Sequence, residues 1–137
     1  MPEVKMSVNL NVTGGPALAV NFVESVEAYD VIEVTVPPAT PSLVVQVQPA
    51  AAARVSLLLI QSDRYGTEIT YKASDGAGDS AAVALLGPQL FGRGVLSLFG
   101  RDVLSLKFGN AHPAPAAGAT PLAAHIRIVV GRKATTP

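Results

Sequence analysis

Three observations in this 137-residue chain predict an all-β fold, an antiparallel β-sandwich or jelly-roll-like domain of about ten short strands. Apolar and polar residues alternate at the period of a half-buried strand. Met6, Val8, Leu10 and Val12 interleave with Ser7, Asn9 and Asn11, and Ile126, Ile128 and Val130 with His125 and Arg127. Gly- and Pro-rich turn sequences cut the chain into short pieces and leave little room for long helices. Aromatic residues are only 5% of the chain, so the core must be built mainly from Val, Leu and Ile, which favour sheets packed on sheets.

Taken in order, residues 5–12 form the first expected strand, and Thr13-Gly-Gly-Pro16 supplies a turn before a second at 18–23. Strands at 31–36 and 43–48 flank Pro37-Pro-Ala-Thr-Pro41, and the Pro- and Ala-rich stretch 49–53 follows. Within that stretch Ala50 to Ala53 suffices for one helical turn and is too short for a helix. The strand at 54–61 differs from its neighbours: Val55 to Ile60 is apolar at nearly every position, which reads as a central strand covered on both sides, by a second sheet and by a partner subunit. Strands at 68–72 and 82–86 surround Asp75-Gly-Ala-Gly-Asp79, Gly87-Pro88 breaks the chain, and strands at 95–99, 103–108 and 124–130 complete the set.

A near-repeat joins two of these. Leu90-Phe-Gly-Arg-Gly-Val-Leu-Ser-Leu98 is followed by Leu98-Phe-Gly-Arg-Asp-Val-Leu-Ser-Leu106, which reads as 95–99 pairing antiparallel with 103–108 across Gly100-Arg-Asp102. Leu96, Leu98, Leu104, Leu106 and Phe108 would then share a core face; the alternative makes Arg93 and Arg101 paired carboxylate anchors. Residues 110–121 form a Pro- and Ala-rich loop, either a passive crossover or a grip on a neighbour. Residues 1–4 and 131–137 are expected as flexible arms of a single domain spanning 1–137.

Composition narrows the function classes. The absence of cysteine excludes disulfides and thiolate metal sites. No basic and apolar leader is visible and the apolar run at 55–60 is too short to cross a bilayer, so the expectation is a soluble protein without membrane contact. Formal net charge is zero, which argues against nucleic acid as a partner. Charge is nevertheless polarised. Residues 1–36 set Lys5 against Glu3, Glu24, Glu27, Asp30 and Glu33, for a net −4, while residues 92–137 carry a net +5. Either terminal strands pair and neutralise each other, the favoured reading, or copies dock through complementary faces.

Candidate chemistry is sparse, and no catalytic, cofactor-binding or metal-binding residue is assigned. His112 lies in the Pro-rich loop and His125 points outward beside Arg127, and neither sits in a nucleophile motif. Asp75 and Asp79 flank glycines as in an oxygen-rich calcium loop but lack the further ligands, so a hairpin turn is favoured. Gly92-Arg-Gly94 and Gly131-Arg-Lys133 lack the strand-to-helix context of a phosphate loop. Asn11-Val-Thr13 matches a glycosylation sequon, which is silent without a secretory route. A carbohydrate or cell-surface binding module would need Tyr29, Tyr65 and Tyr71 clustered in the open. A hydrolase would need either histidine beside a Ser and a carboxylate.

Leu57-Leu-Leu-Ile-Gln-Ser-Asp63, Tyr65, Ile69-Thr-Tyr71, Leu106-Lys-Phe-Gly-Asn110 and Ile126-Arg-Ile-Val-Val-Gly-Arg132, about half the chain, resemble the small β-sandwich structural proteins of tailed-bacteriophage particles. The resemblance implies a non-enzymatic virion protein without a cofactor, assembled in the host cytoplasm. Foremost it implies a capsid decoration or cement protein, and after that a tail or head–tail connector component. The implied partners are its own copies, in a homo-oligomer such as a trimer, and a major capsid or tail protein, bound through apolar burial and strand addition by arms.

Overall fold

The computed structural model describes residues 3–26, 28–47, 55–92 and 103–132. They form ten strands: β1 (Glu3–Asn11), β2 (Ala17–Ser25), β3 (Ala28–Val36), β4 (Thr40–Gln46), β5 (Val55–Ser62), β6 (Gly66–Ser74), β7 (Val83–Leu85), β8 (Gln89–Phe91), β9 (Ser105–Asn110) and β10 (Ala124–Arg132). The fold is all-β and antiparallel, with no helix among the described residues.

Eight strands make the sandwich, as two four-stranded sheets ordered β3-β10-β5-β8 and β4-β9-β6-β7. The chain passes from one sheet to the other at every connection except the β6–β7 hairpin, the connectivity of a jelly roll. Val36, Leu58, Ile60, Ile126, Ile128 and Val130 of the first sheet meet Val45, Ile69, Tyr71, Leu85, Leu106 and Phe108 of the second, all buried. Each occupies alternate positions of its strand, as the period-2 pattern requires. The Tyr71 and Phe108 rings pack tilted, with centroids 6.4 Å apart, and burial pushes the Tyr71 hydroxyl above its ordinary pKa.

Asn110 closes one end. It is 1% exposed, and its Nδ2 donates to the carbonyls of Val36 (3.1 Å) and Leu122 (2.9 Å) while its Oδ1 accepts the His112 N–H (3.0 Å). The Pro-rich loop is therefore fastened at both ends of its crossover from β9 to β10, and its middle residues, 113–121, are exposed.

Several expectations are corrected. Both edges of β9 are occupied, by β4 and by β6, so residues 103–108 cannot take 95–99 as a hairpin partner; residues 95–99, Arg93, Arg101 and Ala50 to Ala53 lie outside the described residues. Leu106 and Phe108 do face the core. The three-residue β8 at Gln89–Phe91, hidden between Pro88 and Gly92, was not expected. Strand β1 begins at Glu3 and β10 continues through Gly131 and Arg132, so strand structure reaches into both expected arms. Strand β5 is interior, with Leu58 and Ile60 in the core, and on its outer face Leu57 is buried beside this chain's own Val26 while Leu59 is half-buried.

Part of the charge polarity is resolved within one sheet, while Glu3 and Glu24 lie on the separate β1–β2 sheet. Strand β3 pairs with β10, placing Glu33 opposite Arg127 and Asp30 near Arg132; the two ion pairs close at 2.8 and 2.6 Å.

Candidate functional site

Strands β1 and β2 stand apart from the sandwich as a two-stranded sheet. They meet at a turn in which the Gly15 N–H donates to the Val12 carbonyl at 2.8 Å, with Gly14 in the left-handed region at φ +75°. The register pairs Met6 with Phe22, Val8 with Val20 and Leu10 with Leu18. Directly opposed residues share a face, so these six apolar side chains line one side of the hairpin. The other side carries Glu3, Lys5, Ser7, Asn9, Asn11, Asn21 and Ser25 together with Ala17, Ala19 and Val23, the last 53% exposed.

The apolar side is covered only at its base. Met6, Glu24 and Val26 are buried, whereas Val8, Leu10, Leu18 and Val20 are each 44–54% exposed. Half-buried aliphatic side chains of this size each forgo about 1 kcal/mol that full burial would supply, on the order of 4 kcal/mol for the four. An isolated two-stranded hairpin is marginally stable, so this face calls for a cover.

The base fixes the direction of the hairpin. Val26 rests on Gly131 of β10 and Leu57 of β5, and four residues earlier Phe22 rests on Gly92, just after β8. Gly131, Leu57 and Gly92 lie in one row across the outer face of the sheet, because Gly131 pairs with Leu57 and Phe91 pairs with Leu58. The hairpin thus crosses the strands from β10 towards β8, and its open part projects beyond the β8 edge. A parallel row on the same outer face is also apolar: Val31, Val129, Leu59 and Leu90 are neighbours across β3, β10, β5 and β8.

A second feature is an open groove of about 590 Å³ at the other end of that sheet, lined by Thr35, Gln61, Asp63, Tyr65, His125 and Arg127 among others. Thr35 Oγ1 and His125 Nδ1 share a hydrogen bond of 2.9 Å, and Asp63 accepts the His125 backbone N–H at 2.8 Å. His125 Nε2 stands 4.0 Å from Asp63 Oδ2, beyond hydrogen-bond reach, and its side chain is 64% exposed. A nucleophilic triad needs that third bond and a ring shielded from water, so Thr35, His125 and Asp63 form a polar wall rather than an activated hydroxyl. The hydroxyl beside His125 is that of Thr35, brought there by the β3–β10 pairing.

The three tyrosines do not assemble. Tyr71 is buried in the core, Tyr29 is exposed opposite Gly131, and Tyr65 is at the far end, its hydroxyl accepting the Ser62 N–H at 3.0 Å. In the 75–79 loop, Asp75 Oδ1 accepts the N–H groups of Ala77 and Gly78 at 2.9 and 2.7 Å, and Asp79 pairs with Lys107 at 3.0 Å. Both carboxylates thus serve the turn between β6 and β7. His112 is half-buried with Nε2 3.9 Å from Glu68. Among the described residues no three His, Asp or Glu side chains gather as metal ligands. No protein-family model, curated protein or solved structure matches the chain.

Proposed function

We propose that this chain is a non-enzymatic structural protein of a phage particle, foremost a capsid decoration or cement protein, with a tail or head–tail connector role as the nearest alternative. The observation that carries the reading is the amphipathic β1–β2 hairpin, which reaches past the sandwich with Val8, Leu10, Leu18 and Val20 uncovered. Such a face gains its burial in an assembly. The jelly roll suits the role as a rigid tile, because its core is complete without a partner and its edge strand β8 is only three residues long. Mixing the purified protein with heads and with tails of its phage tests the reading by co-sedimentation. Saturable binding to heads at a fixed ratio, with a raised head melting temperature, is the expected result. Binding to tails alone moves the role there, and binding to neither overturns the reading.

The second reading, a carbohydrate or cell-surface binding module, loses the exposed tyrosine cluster it required and rests only on the open groove beside Tyr65. A glycan array decides it: a ligand lost on Tyr65→Ala supports the module, and a blank array removes it.

A further inference from the structure

We propose that the free edge of β3 is a pairing edge whose occupant is β3 of a second copy of this chain, joined antiparallel about a twofold axis through Ile32, so that two four-stranded sheets become one. The proposal goes beyond the structural reading above and stands without it.

The free edges of the two sheets are not alike. Strands β7 and β8 are three residues long, and β4 carries Pro41 and a break in register between Thr40 and Leu43. Shortness, proline and irregularity are the devices that keep an edge from pairing. Strand β3 has none of them. It runs nine residues, Ala28–Val36, without proline, lysine or a register shift against β10. Its carboxylates, Asp30 and Glu33, are drawn onto Arg132 and Arg127 of β10. The β1–β2 hairpin crosses the sheet towards β8, away from this edge.

The backbone groups of that edge can be named. The Asp63 N–H donates to the His125 carbonyl at 3.2 Å, so odd-numbered residues of β10 turn their backbone groups to β5 and even-numbered ones to β3. Ile128 lies opposite Ile32, so the even-numbered residues of β3 bond β10. The N–H and C=O groups of Tyr29, Val31, Glu33 and Thr35 therefore point away from the sheet, and among the described residues no strand receives them.

Self-pairing has one register that satisfies this edge. With Ile32 opposite the partner's Ile32, the whole of Ala28–Val36 is paired. Val31 exchanges two hydrogen bonds with the partner's Glu33, Tyr29 exchanges two with the partner's Thr35, and the twofold repeats both sets. Tyr29 and Val31, 56% and 55% exposed, gain cross-strand neighbours, and Ile32, half-buried at the rim of the core, meets its own copy. No carboxylate faces another, since Asp30 falls opposite the partner's Val34 and Glu33 opposite the partner's Val31. Sliding two residues one way sets Glu33 against the partner's Glu33, and sliding two the other way leaves Thr35 and Val36 unpaired. Sliding by one turns the faces over.

This self-complementarity and closure select a second copy over a foreign strand. Pairing uses β3 of both chains and leaves only guarded edges, so assembly stops at two. The seam is about 30 Å long and 10 Å deep, roughly 600 Å² over both chains, the size of a weak, reversible interface whose affinity comes from main-chain hydrogen bonds.

Sedimentation equilibrium over a concentration series is expected to show a reversible rise from 14.0 kDa towards twice that mass. Val31→Pro removes an outward N–H that its own sheet does not use, so this variant is expected to keep its circular dichroism and melting temperature and to lose the dimer. The chain has no cysteine, so Ile32→Cys reads the register. Opposed Cα atoms about 4.5 Å apart in a non-hydrogen-bonded pair should give a disulfide-linked dimer on oxidation, and Tyr29→Cys, whose two copies stand far apart, should not. If Val31→Pro unfolds, the Ile32→Cys cross-link decides alone. A wild-type monomer up to about 1 mM, a dimer that survives in folded Val31→Pro, open-ended growth with concentration, or Ile32→Cys that does not cross-link overturns the pairing.

Discussion

Val26 rests directly on Gly131: a Cβ built at Gly131 would stand 2.9 Å from Val26 Cγ1 and 3.1 Å from Leu57 Cβ. This close approach seats the base of the hairpin on the sandwich. Both distances are shorter than packed carbons tolerate, so the backbone of β10 serves as the floor of the joint.

Gly131→Ala should therefore lift Val26 and cost about 1–3 kcal/mol by overpacking. Denaturant unfolding measures the loss, and limited proteolysis should cut the hairpin sooner. In a Val26→Ala background the same change should cost less, because the Val26 Cγ1 contact is gone. An equal cost in both backgrounds would place the strain elsewhere.

This joint also shows what the sequence could and could not reveal. Alternation made the hairpin legible, since Met6, Val8 and Leu10 oppose Phe22, Val20 and Leu18 as two amphipathic strands must. Periodicity reports that a face is apolar and says nothing of what covers it, so the same signal described the buried Ile128 and the open Val20. In the sequence Gly131 reads as the start of a tail, because nothing local marks a glycine as the floor under a distant valine. The β9 pairing failed for a related reason. A repeat suggests a neighbour in sequence, whereas the jelly roll sets β9 between β4 and β6 through long-range pairing. Terminal charge neutralisation was legible, because Glu33–Arg127 and Asp30–Arg132 follow once the end strands pair.

Asn110 was legible only as the first residue of a loop. In the fold it is fully buried and bonds three backbone groups on three segments, at Val36, Leu122 and His112. Asn110→Ala leaves buried carbonyls without a donor and should cost roughly 2–3 kcal/mol, seen as a lower denaturation midpoint with an unchanged slope. Asn110→Asp should not rescue it, since a carboxylate cannot donate to Val36 and Leu122.

Two arginines on β10 should behave differently. Arg132 donates from Nε and Nη2 to the Val47 carbonyl and from Nη1 to Asp30, and its side chain is 14% exposed; Arg127 pairs with Glu33 at 59% exposure. Arg132→Ala should cost roughly 2–3 kcal/mol, whereas Arg127→Ala should stay within about 1 kcal/mol. Arg132→Lys should recover only part, because one ammonium cannot reproduce the guanidinium fork. Equal effects of the two alanine variants in thermal unfolding would contradict the difference in burial.

The Asp79–Lys107 pair ties the 75–79 turn to β9 and makes it acid-sensitive. A hydrogen bond from Lys107, then one involving Ser74, holds the Asp79 carboxyl below the usual carboxylate range. Folding thus favours the ionised form. Its contribution is fully present above the unfolded carboxylate value, about pH 4, and is lost as pH falls through the lower folded value. Asp79→Asn should lower the melting temperature near neutrality by a small margin, since the pair is exposed, and high salt should shrink that margin. Wild type and variant should converge as pH drops below about 4, because protonation then removes from the wild type what the substitution has already removed. A gap that widens in acid would show that Asp79 acts through something other than its charge.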